Sequence, residues 1–366
     1  MINTLVPVFS LRPDKEYIIV DKKNRTTRLF KNIIKAIRKR VGTEITVVAV
    51  NANDVKDISH KLRNEIILGK DPEVYLDLAG GRELLSACGY QYALENSITP
   101  LYIDFKKERL YSVTDHREIC PITHLRIEDY LDAIGAKRLT SYHNAPKPED
   151  RTRILEMAET IFGELDSWNV LCSRIMNSTK QSKDHMSFNK NLSYSRNERK
   201  LLADFIRLGF IIENRKGYKF ADEFAKQCLT VFGTWLEMYI YYKAVGLYPE
   251  ATMGIVIDWI VEDNVDSHDN EIDVLFMKKS VPVFVSCKMR KPSASDVNEV
   301  LALARRFGGR RAKGIIATTF DVEQTKDLLN SIHKRLRMLN CGYIEAKDFQ
   351  EKTDAQVFNH ALQMTD

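Results

Sequence analysis

Charged side chains recur at two-residue spacing in the last third of the chain. Glu271 and Asp273 open one apolar stretch, and Ser286 and Lys288 close the next. Side chains two residues apart in a β-strand lie on the same face, so each pair points one way. The short turn at 278–280 makes the two stretches neighbouring strands. The spacing therefore predicts two carboxylates beside one lysine at the ends of buried strands.

This combination of side chains suits metal-assisted hydrolysis of a phosphodiester. Carboxylates are hard oxygen ligands for Mg²⁺ or Mn²⁺, and the bound metal polarises the phosphoryl oxygen and acidifies a water. A neighbouring lysine orients that water or neutralises charge on the phosphate. From spacing alone, the alternative is a structural ion pair between Asp273 and Lys288.

The elements that position this cluster follow from hydrophobic periodicity. Residues 230–246 form an apolar-rich helix that carries Glu237, and its Trp, Met and Tyr residues are predicted to be core. Further helices are predicted at 295–307 and 323–338. Apolar runs predict strands at 254–262, 271–277, 281–288, 312–319 and 342–346, the last of which completes the chain.

The N-terminal part alternates strands and helices, which is typical of a Rossmann-like parallel sheet. Strands are predicted at 16–20, 45–50, 73–78 and 100–105, and helices at 26–40, 54–68 and 82–95. A proline-rich linker at 146–150 leads to a helical region. A helix at 196–209 then precedes a hairpin of 210–214 and 217–220, a winged-helix pattern. The alternative is a connector that makes no contact with nucleic acid.

A small-residue loop follows the third N-terminal strand and opens a helix, in the order Asp77-Leu-Ala-Gly-Gly-Arg-Glu83. Glycines let the backbone approach a ligand, and a helix N-terminus favours anions. Arg82 adds a cation that binds phosphate. The predicted ligand-binding residues are Ala79, Gly80, Gly81 and Arg82, and the alternative is a tight strand-to-helix turn.

A basic run near the predicted active site is the second candidate for phosphate contact. It contains Arg305, Arg306, Arg310 and Arg311. Such a run is either a solvated helix end or a surface that binds the backbone of a nucleic acid, and we favour the second.

Composition limits the remaining possibilities. The 366 residues carry 55 Lys and Arg against 50 Asp and Glu, a net charge of +5 that permits a polyanionic partner. We expect no membrane association, because no apolar stretch reaches the roughly 18 residues of a spanning helix. No signal peptide is evident. The six scattered cysteines favour reduced thiols in the cytoplasm over a zinc site.

Three motifs together resemble a known family. The segments Gly233-Thr-Trp-Leu-Glu237, Asn270-Glu-Ile-Asp273 and Ser286-Cys-Lys288 resemble the PD-(D/E)XK restriction-like nucleases. More narrowly, with the 77–83 loop, they resemble the CARF nucleases of type III CRISPR systems. The resemblance implies an α/β fold with a CARF domain at 1–145, a winged-helix-like segment at 146–225 and a nuclease domain at 226–366.

The resemblance also implies roles for individual residues. Asp273 is the principal metal ligand, Lys288 is the catalytic lysine and Glu237 supports the site. Glu237, Glu271 and the main-chain carbonyl of Cys287 complete the expected ligands of Mg²⁺ or Mn²⁺. The CARF domain is expected to bind a cyclic oligoadenylate across a homodimer, with cyclic tetra-adenylate as the expected activator.

The sequence departs from the family pattern at several positions. Ser286 stands where the family usually has glutamate, and a hydroxyl is a poorer ligand for a hard cation. Either Glu271 and Glu237 supply the missing charge, a water bridges Ser286 to the metal, or activity is weakened. Ala79 and Arg82 replace flanking threonines, and Glu83 replaces a lysine. Residues 2–11 look like the helix that follows the first CARF strand, so that strand is expected to be missing or to lie upstream.

The resulting hypothesis is a cyclic-oligoadenylate-activated, metal-dependent endonuclease of antiviral defence that acts on DNA, RNA or both. One alternative is a ligand-sensing regulator that binds nucleic acid and has a decayed nuclease core. The other is a restriction-type nuclease without regulation.

Overall fold

The computed structural model describes residues 1–68, 73–136, 138–140, 147–189, 193–215, 217–257, 270–320 and 334–365. The chain divides into two compact units, unit 1 (Met1–Lys137) and unit 2 (Arg138–Asp366). The domain boundaries expected at 145 and 225 stay a prediction. All six cysteines are free thiols. No helix in the described ranges is long and apolar enough to cross a membrane.

Unit 1 contains the predicted alternation of strands and helices. Its helices are α1 (Ile2–Leu11), α2 (Arg28–Val41), α3 (Val55–Glu65), α4 (Glu83–Glu95) and α5 (Ile127–Ile134). Its strands are β1 (Lys15–Asp21), β2 (Glu44–Val50), β3 (Tyr75–Asp77), β4 (Thr99–Asp104), β5 (Arg109–Ser112) and β6 (Glu118–Pro121). The two last strands and α5 were not predicted.

The strands of unit 1 form two sheets rather than the single parallel sheet that the alternation predicts. One sheet is the parallel pair β1–β2, and the other has the order β3-β4-β5-β6. Only β3 and β4 are parallel in the second sheet, because hairpins turn β5 and β6 back. Among the described strands, β1 and β3 each therefore have an edge without a partner, and the missing CARF strand stays a prediction.

One apolar cluster in unit 1 joins side chains from both sheets. Val48 and Val50 of β2 pack with Ile58 and Leu62 of α3 and with residues of α4. Side chains of β1 and β3 cover the same cluster. The cluster therefore joins the two sheets through side chains, although no backbone hydrogen bonds link the described strands of one to those of the other.

Unit 2 begins with a short strand and a helical region. Its first elements are β7 (Arg138–Thr140), α6 (Arg151–Gly163), α7 (Leu165–Gln181), β8 (Ser187–Asn189), α8 (Arg196–Arg207), β9 (Ile211–Asn214), β10 (Gly217–Phe220) and α9 (Glu223–Thr230). Strands β9 and β10 form the predicted antiparallel hairpin after α8, and β8 pairs with β10. The winged-helix-like elements are confirmed.

The rest of unit 2 is a mixed sheet with helices on both faces. It comprises α10 (Thr234–Val245), β11 (Ala251–Ile257), β12 (Asn270–Lys278), β13 (Val281–Lys288), α11 (Ala294–Gly308), β14 (Lys313–Thr318), β15 (Gly342–Glu345), α12 (Asp348–Glu351) and α13 (Asp354–Gln363). The strand order is β15-β14-β13-β12-β11-β7. The helix predicted at 323–338 falls mostly outside the described residues, as does the second half of the strand predicted at 254–262.

The expectation that the strand at 342–346 completes the chain is wrong, because two helices follow it. Helix α13 begins at a capping box in which Thr353 and Gln356 satisfy each other's backbone N–H groups. Its Val357 and Phe358 are buried in the main core of unit 2. The same core includes Trp235 and Tyr239 of α10, so the prediction that these aromatic side chains are core is confirmed.

Candidate functional site

The cluster predicted from the sequence lies where two strands of the unit 2 sheet part. Strands β12 and β13 pair from Lys278↔Val281 up to Val274↔Val285. Beyond that point β12 continues beside β11, and β13 continues beside β14 as far as Lys288↔Thr318. The two strands thus form a fork, and Asp273 and Ser286 are the first residues inside it.

Asp273 closes the fork with its side chain. Its Oδ2 accepts a hydrogen bond of 2.6 Å from the backbone N–H of Cys287 and a longer one of 3.4 Å from the Ser286 hydroxyl. Burial raises the pKa of Asp273, against the lowering effect of the Cys287 N–H and of the Lys288 charge. Both of these hydrogen bonds are made to Oδ2, so Oδ1 carries the remaining acceptor capacity of the carboxylate.

Lys288 and Glu271 both act electrostatically on Asp273. The ammonium group of Lys288 lowers the pKa of Asp273, whereas the carboxylate of Glu271 raises it. Lys288 is half-buried, but Glu271 is exposed. The alternation of side chains puts all three on the face of the sheet opposite to Val274, which lies in the core beneath α10. The structure thus places the three residues on one face at the fork, and their roles in a metal site stay a prediction.

Glu237 reaches the cluster from the other face. Its helix α10 begins at Gly233, whose φ of +96° is a conformation that favours glycine. The Trp235 indole N–H donates to the Met289 sulfur at 3.2 Å, which fixes the first turn of α10 against the end of β13. The negative charges of Asp273 and Glu237 contribute to a raised pKa of the Cys287 thiol, after the larger effect of burial. Glu237 therefore lies close to Cys287.

The donor set at the fork suits a hard cation in its chemistry. Asp273 offers a carboxylate oxygen, and Glu237 and Glu271 stand on either side of the same strand ends. Across the described residues, however, no three His, Cys, Asp or Glu side chains are gathered closely enough to hold a metal ion. The carboxylates of Asp273, Glu237 and Glu271 therefore lie around the fork without forming a complete set of metal ligands.

The predicted basic run lies far from the fork. Helix α11 carries Arg305 and Arg306 in its last turn and leads through Arg311 into the start of β14. That start pairs with Val283, five residues before Lys288, which is about 16 Å at 3.3 Å per residue. Closeness in sequence therefore does not bring these arginines to the site.

Sequence reasoning missed a cation that lies nearer to the fork. Arg290 follows Lys288 by two residues, and its guanidinium makes two bonds of 2.9 Å to the carboxylate of Asp296. Asp296 also accepts from Ser293 at the start of α11. Burial raises the pKa of Asp296, but these bonds outweigh it and hold the pKa below its usual value. The basic pair Arg290-Lys291 after the Ser286-Cys-Lys288 motif was the available signal.

The predicted ligand loop of unit 1 is open to solvent. Residues 79–83 are all exposed, and Arg82 begins α4 without a side-chain cap. Its guanidinium donates to Asn53 at 2.9 Å and lies 4.0 Å from Asp21. Arg82 thus sits over loops that follow β1, β2 and β3. The free N-terminus of α4 beside this cation is a favourable position for an anion.

Neither glycine of this loop has a positive φ, and space favours glycine at position 81 but not at position 80. A Cβ on Gly81 would lie 3.2 Å from the Ser86 hydroxyl and 3.3 Å from Leu85. A Cβ on Gly80 would lie 3.5 Å from the Thr4 hydroxyl. The Asn3 side chain also donates to the Ala79 carbonyl at 2.9 Å, so α1 is joined to the loop.

Comparisons with known proteins agree with this architecture. Protein VC1899 from Vibrio cholerae is 15% identical, with a TM-score of 0.80 over 98% of this chain and 96% of that one. Can2 from Sulfobacillus thermosulfidooxidans, solved in complex with cyclic tetra-adenylate, is 18% identical, with a TM-score of 0.67 over 100% of this chain and 96% of that one. A type III CRISPR defence DNA nuclease activated by cyclic oligoadenylate is 18% identical, with a TM-score of 0.50 over 84% of this chain and 41% of that one.

These similarities confirm the predicted fold class, and the resemblance drawn from the motifs is confirmed at the level of fold. No family model matches the chain, and no curated protein matches it.

Proposed function

We propose that this chain is a metal-dependent endonuclease that is activated by a cyclic oligoadenylate bound to unit 1. The observation that carries the proposal is the fork, where Asp273 accepts the Cys287 N–H at 2.6 Å beside the strand that ends in Lys288. The fold shared with Can2 and with the CRISPR defence nuclease supports the same activity and the same class of activator.

In this proposal Asp273 Oδ1 holds Mg²⁺ or Mn²⁺, together with Glu237 or Glu271. The metal, when bound, polarises the scissile phosphate and acidifies a water. The Cys287 N–H fixes the Asp273 carboxylate, and the Lys288 ammonium orients the water or neutralises charge on the phosphate. Cys287 contributes through its backbone, because burial raises the pKa of its thiol and keeps it protonated.

The activator is proposed to bind the loop of residues 79–82 through the N-terminus of α4 and the guanidinium of Arg82. A cyclic tetra-adenylate is the expected ligand, since it is the one in the complex of Can2. A ring with two-fold symmetry would bind equally to two copies of the loop, which favours a homodimer as the active form.

A cleavage assay tests the proposal. Supercoiled plasmid and single-stranded RNA are incubated separately with the protein and Mn²⁺, with and without cyclic tetra-adenylate. The Asp273→Ala and Lys288→Ala variants are compared with Lys278→Ala, which removes a lysine at the far end of the same hairpin. We expect cleavage by the wild type and by Lys278→Ala, and none by the fork variants.

The outcomes separate the proposal from its alternatives. Equal cleavage without the activator would indicate an unregulated nuclease. Metal-independent binding of DNA with no cleavage of either substrate by folded protein would indicate a regulator with a decayed core. Either result would contradict the proposal as stated.

A further inference from the structure

Phe232 is an exposed aromatic side chain at the start of the helix that carries Glu237. All sixteen phenylalanines lie within the described residues, and Phe232 is the only exposed one, at 52%. Its neighbour Val231 is also exposed, at 46%. The aromatic side chains that follow it, Trp235 and Tyr239, are buried. Val231 and Phe232 thus form an exposed apolar pair just before α10.

The backbone holds this ring in a fixed place. Helix α9 ends at Thr230, and the Thr234 N–H then donates to the Val231 carbonyl at 3.3 Å. This hydrogen bond closes a tight turn with Phe232 and Gly233 at its centre. The third residue of such a turn has a positive φ, which favours glycine, and Gly233 has a φ of +96°. The ring therefore projects from a turn between two helices rather than from a long loop.

The same turn lies next to the fork. A Cβ on Gly233 would be 3.8 Å from Glu237 Oε1, so the Glu237 carboxylate folds back towards the turn. Trp235, three residues after Phe232, bonds the Met289 sulfur at the end of β13. Phe162 packs edge-on against Trp235 with ring centroids 5.2 Å apart and holds this turn of α10 in place. Phe232 thus stands at the end of the sheet where Lys288 lies.

We propose that Phe232 binds the substrate by stacking on a nucleobase next to the scissile phosphate. The inference rests on the proposed function. It adds a contact with a nucleobase to the contacts with the phosphate that the proposed function places at the fork. Every base has a π-face, so an aromatic ring beside a phosphodiester site binds a strand without selecting its sequence. The ring stacks in the ground state and in the transition state alike, so its removal raises KM and leaves kcat nearly unchanged.

The test compares Phe232→Leu, which keeps the apolar volume, with Phe232→Tyr, which keeps the ring. Val170→Ala is the control, because Val170 is exposed to a similar extent, 48%, on α7. Single-stranded DNA and RNA 20-mers are cleaved in Mn²⁺ with cyclic tetra-adenylate. We expect Phe232→Leu to raise KM roughly 5- to 150-fold, which corresponds to about 1–3 kcal/mol of stacking, and Phe232→Tyr and the control to stay within about twofold.

Substrates with a single abasic position identify the stacked base. If Phe232 stacks on one base, the wild type binds the substrate that lacks that base more weakly than the intact substrate. Phe232→Leu then binds that abasic substrate as well as the wild type does. An unchanged KM for Phe232→Leu, in a protein that still cleaves, would overturn this inference and leave the proposed function intact. Loss of cleavage by the wild type on every substrate would overturn both. A changed oligomeric mass of Phe232→Leu would show that Phe232 lies in a protein interface, which also overturns the inference.

Discussion

The carboxylate of Asp273 accepts the backbone N–H of Cys287 at 2.6 Å, at the point where β12 and β13 part. In a regular hairpin that N–H would bond a neighbouring backbone carbonyl. Here a side chain takes that position, and the two strands turn to different partners. The sheet therefore opens at Asp273, the residue that holds the metal in the proposed mechanism. The same carboxylate accepts the Cys287 N–H that the opening would otherwise leave without an acceptor.

This arrangement predicts that activity and stability separate at Asp273. Asp273→Asn keeps an oxygen acceptor for Cys287 but loses the charge that burial disfavours. We expect its free energy of unfolding to be unchanged or higher by about 1 kcal/mol, while cleavage falls by roughly 100-fold or more. Urea denaturation and a cleavage assay measure the two effects.

Asp273→Ala is the matched comparison, because it leaves the buried Cys287 N–H without its acceptor. It is expected to lose activity equally and to be less stable than Asp273→Asn by about 1–3 kcal/mol. Equal stability of the two variants would show that the hydrogen bond does not hold the fork.

Stability of unit 1 is expected to fall as the pH rises. Burial raises the pKa of Glu16 to about 7 and that of Asp77 to about 6, and the charge of Asp77 adds to the effect on Glu16. The folded protein therefore binds these protons more tightly than the unfolded chain. The contribution of these two carboxyls to stability is greatest below the ordinary carboxyl pKa near 4 and declines until the pH passes about 7.

Glu16→Gln removes most of this dependence. We expect the variant to be more stable than the wild type at pH 8 by about 2 kcal/mol and equally stable at pH 4. Glu44→Gln is the control, since Glu44 is exposed and paired with Lys15. Calorimetric melting at both pH values measures the difference, and an equal effect of Glu16→Gln at pH 4 and pH 8 would contradict the assignment.

Much of the fold could be predicted because short apolar runs and helix signals are local. The first four strands of unit 1, the hairpin after α8 and the core aromatic residues of α10 all followed from periodicity. Helix α13 was missed although Thr353 and Gln356 spell a capping box in the sequence. The split into two sheets was not predictable, since strand pairing depends on residues far apart in the chain.

The residues that lie at the fork could be predicted from the sequence, but the fork itself could not. The two-residue spacing in β12 and β13 put Asp273 and Lys288 on one face, as found. The fork itself depends on β11 and β14 drawing the two strands apart, which no local pattern encodes. Helix α11 runs away from the fork, and β14 runs back towards it. Arg306, at the end of α11, is therefore distant from the fork, whereas Arg290 is close to it.

The positions of Arg290 and Arg306 predict different kinetic effects. Arg290→Ala removes a cation beside the fork and is expected to lower kcat/KM about tenfold. Arg306→Ala removes a cation in the last turn of α11, towards the end of the sheet away from the fork, and is expected to change affinity and its salt dependence without changing kcat. Steady-state kinetics at two salt concentrations separate these effects. A larger loss of kcat from Arg306→Ala than from Arg290→Ala would contradict the placement.

Arg82 is expected to decide binding of the activator. Arg82→Ala should weaken binding of cyclic tetra-adenylate roughly 10-fold to 150-fold, the range for a lost hydrogen bond between charged groups. Arg117→Ala is the control, because Arg117 is equally exposed in unit 1, at 61% against 57%. Isothermal titration calorimetry measures both, and unchanged binding by Arg82→Ala would exclude this loop as the main phosphate contact.

The most direct test of the account is the rate of plasmid and RNA cleavage in Mn²⁺ as cyclic tetra-adenylate is titrated. The account predicts a rate near zero without the activator and a saturable rise with it. In Arg82→Ala the same rise should occur at higher activator concentration, and in Asp273→Asn it should be absent at every concentration. A rate that does not depend on the activator, or that survives in Asp273→Asn, would contradict the account.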